Sequence, residues 1–137
     1  MNAHNQCRFN IAKNFVRNNA PHAYALADSI ELVKECEDKV SPNAAASYIP
    51  MLRAIYILDE GYLSVDTFIN YIAHELKHAY DCEHRTDKWM YRNIDNNIMS
   101  KRYRNHPREI SANKYADCVV KRYKKWKEDI YKQAIGM

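Results

Sequence analysis

Between Val65 and Tyr80, apolar residues recur at Val65, Phe68, Ile69, Ile72, Ala73, Leu76, Ala79 and Tyr80. These are steps of three and four, which only an α-helix gathers onto one face. The same stretch contains His74-Glu75-Leu76-Lys77-His78. Because each residue turns a helix by about 100°, the two histidines lie within roughly 40° of each other, nearly opposite the centre of the apolar face. The helix is thus committed on both sides. One side packs on a core, and the other presents two imidazoles one turn apart, close enough for both to reach one tetrahedral zinc ion at about 2.0–2.1 Å. Glu75 falls at the edge between these faces, where a carboxylate can take a proton from metal-bound water without being a ligand. Two histidines at this spacing also occur as an exposed helical pair. Here the motif lies in register on an expected helix, and its face carries Thr67 and Tyr71 but few charges, which favours a metal site.

A chain of 137 residues suits one domain with a real core but is short for a two-lobed enzyme. With only 2 Gly and 4 Pro, Gly-rich phosphate loops are excluded and helices should dominate. The formal charge of +4 is modest but unevenly placed. Lys101, Arg102, Arg104 and Arg108, then Lys121, Arg122, Lys124, Lys125 and Lys127, form two basic clusters in the C-terminal third. Cys7, Cys36, Cys82 and Cys118 are far apart with no Cys-x-x-Cys pair, so a zinc ribbon is not suggested. No signal-peptide pattern opens the chain and no run of about 18 apolar residues interrupts it. The expectation is a soluble, cytoplasmic protein with reduced thiols and no membrane partner.

Along the chain, the first 20 residues suggest a short helix, and Asn18-Asn19-Ala20-Pro21 a turn with Pro21 at a first helical position. A second helix is expected to about Cys36, since Leu26, Ile30, Val33 and Cys36 follow helical steps. After the loop Asp38–Asn43, Ala54-Ile55-Tyr56-Ile57-Leu58 reads as a strand closed by Asp59-Glu60-Gly61 and paired with Ser47–Ile49. Ser64 is the expected N-cap of the histidine helix, with Asp66 in its first turn and an end near Asp81 or Cys82. Glu83–Asn105 is expected to be a loop with a helical piece that crosses the cleft. His106-Pro107-Arg108-Glu109 opens a last helix, marked by Ala112, Tyr115, Ala116, Val119, Tyr123, Trp126 and Ile130, that runs to about Ala134. The basic run there reads best as a solvated face, with Tyr123 and Trp126 belonging to the core.

A zinc site with an open position for water needs a third protein ligand. The candidates downstream are Asp81, Cys82, His84, His106, Glu109 and Asp117. Glu109 is favoured because Ala112 and Ala116, on the near face of its helix, permit a close approach to the histidine helix. Asn113 lies one turn beyond Glu109 and can accept the other ring N–H of a ligating histidine. A helix N-terminal carboxylate also gains from the dipole alone, so position by itself does not decide the matter.

His74-Glu75-x-x-His78, followed about thirty residues later by Glu109-Ile110-Ser111-Ala112-Asn113-Lys114-Tyr115-Ala116, resembles the gluzincin-type zinc peptidases. The likeness is to the ImmA/IrrE-like family with its Glu-x-x-Ala-Asn-x-Phe-Ala helix. His74–Asp81 also resembles the mitochondrial ATP-synthase-processing peptidases, and the match spans residues 54–120. The resemblance implies His74, His78 and Glu109 as zinc ligands, Glu75 as general base, and a protein or peptide substrate. In such peptidases the strand before the metal helix offers its outer edge to an extended peptide. The fold expected is α+β, a helix-rich single zincin-like domain over residues 1–137 with a small sheet packed on the metal helix. His106 and Tyr103 are weak candidates for stabilising an oxyanion. The rival reading is a nucleic-acid or acidic-protein binding module with a structural or vestigial zinc, supported by the basic, aromatic Lys121–Lys127 segment. A purely structural site has no use for Glu75.

Overall fold

The computed structural model describes residues 3–34, 44–84 and 106–136. The chain forms helix α1 (Ala3–Asn19), a single turn α2 (Pro21–Tyr24), strand β1 (Ser29–Val33) and strand β2 (Ala46–Ile49). A 3-10 turn (Pro50–Leu52), strand β3 (Ala54–Leu58), helix α3 (Val65–His84) and helix α4 (Pro107–Ala134) follow. This is the expected α+β architecture, with a three-stranded mixed sheet in the order β1-β3-β2. β1 runs parallel to β3 and β2 antiparallel to it, with Tyr48 opposite Ile55 and Ser47 opposite Tyr56.

Two expectations need correction. The second helix ends at Tyr24, and Ser29–Val33, expected to be helical, is a strand. Ile30 and Leu32 point into the core while Glu31 points out, a period of two that pays for itself only when β3 lies alongside. The Ala54–Leu58 strand pairs on both sides, so it has no outer edge to offer a peptide. The edges belong to β1 and β2. With partners on both flanks and both faces covered, β3 buries Ala54 through Ile57 as a continuous apolar run.

Ile55 and Ile57 join Phe68, Ile69, Ile72 and Leu76 of α3 and Phe9, Ala12, Phe15 and Val16 of α1 in one core. Phe9 meets Phe68 edge-on with ring centroids 5.5 Å apart. The entry to α3 is pinned from α1. Asn5, fully buried, donates to Asp59 Oδ1 (2.8 Å) and to the Gly61 carbonyl (2.7 Å), and accepts from the Leu63 N–H (3.1 Å). Gly61 takes φ 67 there, a left-handed conformation suited to a residue without Cβ. Ser64 Oγ then accepts the Thr67 N–H at 3.1 Å, the expected N-cap. α3 runs to His84, slightly past the expected end.

α4 packs on α3 through Ala112 and Ala116, both fully buried, then Val119 and Tyr123. Beyond Tyr123 the helix outruns the domain. Trp126 and Ile130, expected on the core stripe, are about half exposed, although Trp126 still reaches Phe15 with centroids 5.7 Å apart. From Lys124 to Ala134 every residue is exposed. The expected helical piece within Glu83–Asn105 falls almost wholly outside the described residues. So do Cys36, Tyr103 and the basic residues Lys101, Arg102 and Arg104. Among the described residues, no helix is long and apolar enough to cross a membrane.

Candidate metal centre

His74 and His78 leave α3 on the side that α4 covers, and the first turn of α4 brings Glu109 over them. The small side chains at Ala112 and Ala116 let the helices approach closely enough for that contact. His74 Nε2 lies 3.0 Å from His78 Nε2 and 3.2 Å from Glu109 Oε1, and His78 Nε2 lies 2.8 Å from Glu109 Oε2. Ligands at about 2.0–2.1 Å from a tetrahedral zinc are about 3.3 Å apart, so the triangle formed by the two imidazoles and the carboxylate, which meets them with different oxygens, has edges slightly shorter than those of such a tetrahedron. Glu109 Oε2 is buried and, despite its 2.8 Å approach to His78, has no well-aligned hydrogen bond among the described residues. The three residues could therefore hold a metal ion, and two imidazoles with one carboxylate are a donor set that would leave a fourth position open. Among the described residues, this is the one cluster of three ligating groups that draws together so closely.

The electrostatics are those of a compressed charge cluster. Burial pushes the His74 pKa down, but its hydrogen bond with Glu109 and the charges of Glu75 and Glu109 outweigh this, with a smaller contribution from Asn113, so it lies above 6.5. Burial pushes Glu109 up, and contact with the two imidazoles more than reverses it, leaving the carboxyl well below its usual range. Asn113 is solvent-exposed and stands close enough to His74 to add to the upward push on its pKa. Glu75 is 8 % exposed with Oε2 3.8 Å from His74 Nε2, beside the triangle rather than in it.

The other candidate ligands lie elsewhere. Asp81 pairs with Lys77 at 2.7 Å, Cys82 is half-buried with a free thiol, and His84 stacks on Tyr80. Asp117 is exposed. His106 caps α4, its Nδ1 accepting the Arg108 N–H at 3.2 Å. Sequence reasoning missed Arg108 as part of the centre: its Nε lies 3.6 Å from Glu109 Oε2. Its place next to Glu109 in sequence is the available signal, although the residue also belongs to a basic cluster. Compared with known protein families, with curated proteins and with solved structures, the chain matches none.

Proposed function

We propose that this protein is a zinc-dependent peptidase of the gluzincin type acting on a protein or peptide. The observation that carries the reading is a buried carboxylate, Glu75, standing 3.8 Å from a nitrogen of a His2Glu triangle sized for zinc. His74, His78 and Glu109 would hold a zinc ion, which would supply Lewis acidity to the scissile carbonyl and make an attacking water more acidic. Glu75 accepts the proton of the attacking water as its oxygen bonds to the carbonyl carbon, then delivers that proton to the nitrogen as the C–N bond breaks. Products are a carboxylic acid and an amine, so one water is consumed per bond cut. Asn113, one turn beyond Glu109, would steady the His74 ring from outside the triangle by accepting its other ring N–H.

The rival nucleic-acid reading loses one of its platforms, because Tyr123 is buried in the core rather than offered for stacking. The deciding experiment is Glu75→Gln, assayed for zinc content and for cleavage of a peptide library. The amide keeps the shape but cannot take the proton. Zinc and fold are expected to persist while cleavage drops by about 10²–10⁴-fold. Cleavage at the parental rate would remove the mechanism.

A further inference from the structure

His78 directs Nε2 into the triangle, and its other ring nitrogen is left over. Nδ1 is buried and has no hydrogen-bond partner among the described residues. Three positions further along α3, Asp81 is 2 % exposed. Its Oδ1 accepts a hydrogen bond from Lys77 Nζ at 2.7 Å, while Oδ2 is buried and also lacks a partner among the described residues. Residues three apart on a helix are surface neighbours. A nitrogen able to donate and an oxygen able only to accept are therefore both orphaned on side chains three residues apart on one helix, and buried orphans are costly enough to call for an explanation. A plain surface ion pair does not provide one. The Lys125–Asp129 pair on α4, with the same spacing, is 68 % and 50 % exposed, whereas the Asp81 side chain is 3 % exposed beside a Lys77 side chain at 24 %. Asp81 is turned inward.

We propose that Asp81 is the positioning residue for His78. When Nε2 serves the metal, Nδ1 must carry the ring proton, and Asp81 Oδ2 accepts it. Lys77 holds the other carboxylate oxygen and fixes its rotation. Each histidine is then steadied from outside the triangle, His74 by Asn113 of α4 and His78 by Asp81 of its own helix. This inference rests on the metal reading above and adds a residue that takes no part in the proton transfers.

The test uses the full chain with zinc affinity measured by chelator competition, and long-range ¹H–¹⁵N correlation spectra of the histidine rings. Asp81→Leu is expected to weaken zinc binding about 10–100-fold and to shift the His78 Nδ1–H resonance while leaving that of His74 in place. Asp81→Asn, which conserves volume and an acceptor oxygen, should recover part of both effects, and it alone is decisive if the leucine variant does not fold. A wild-type chain that binds zinc, with both variants unchanged in affinity and in the His78 resonance, overturns the role of Asp81 alone. A wild-type chain that binds no zinc overturns the metal centre and Asp81 with it.

Discussion

Removing Glu109 tests the candidate centre most directly, because α4 contributes no other ligand to it. In Glu109→Ala the two Nε2 atoms, 3.0 Å apart, remain on α3. The carboxylate oxygens 3.2 and 2.8 Å from them are gone. Four-ligand zinc sites in small domains bind with about 10–16 kcal/mol, so an equal share per ligand is about 3–4 kcal/mol, or roughly 10²–10³ in affinity. At free zinc about 100 times the wild-type Kd, binding stabilises the fold by about 2.7 kcal/mol, and a 10²-fold weaker variant by only about 0.4 kcal/mol. At about 4 °C per kcal/mol for a domain of this size, zinc should raise the wild-type Tm by about 10 °C and the variant's by about 2 °C. Thermal melts with and without buffered zinc measure this difference, and metal analysis of the loaded protein gives the stoichiometry, expected to be one zinc per chain. The full zinc-induced shift in Glu109→Ala, with loss instead in His106→Ala or Asp117→Ala, would refute the assignment of Glu109.

The metal-free chain should show a pH window. His74, with its pKa raised above 6.5, stabilises the fold fully below about that value and loses the contribution as pH rises through its folded pKa. Glu109, held below 4.5, contributes above that value and loses its contribution as pH falls through its lower folded pKa. Denaturant melts with chelator should therefore find this pair most stabilising between pH 4.5 and 6.5. Zinc binding weakens on going down through the same window, because its ring nitrogens must be unprotonated. Equal metal-free stability at about pH 5.5 and about pH 8 in wild type and Glu109→Gln would contradict this account. For the basic end of α4, a labelled oligonucleotide should show no binding that survives physiological salt. Tight binding that falls steeply with salt and is lost on replacing Lys121, Lys124, Lys125 and Lys127 with Gln would make nucleic acid a partner.

The sequence by itself determined the elements whose information is local. α3 was legible from a strong three-and-four periodicity and an N-cap at Ser64, and α4 from Pro107 at its first position and its stripe through Tyr123. The histidine pair was legible because a helix fixes the relation of residues four apart without outside help. What depends on distant partners was not legible. Ser29–Val33 carries apolar residues compatible with either period, and only parallel pairing with β3 makes it a strand. The central place of β3 also follows from that pairing, which leaves it no free edge. Glu109 could be favoured from Ala112 and Ala116, but the packing of α4 on α3 is what brings its carboxylate within 3.2 Å of His74. The burial of Asp81 is a tertiary fact as well. In sequence it is one more acid four residues from a lysine, and only the packed helix turns it away from water, because burial is set by which neighbours arrive and not by the residue itself.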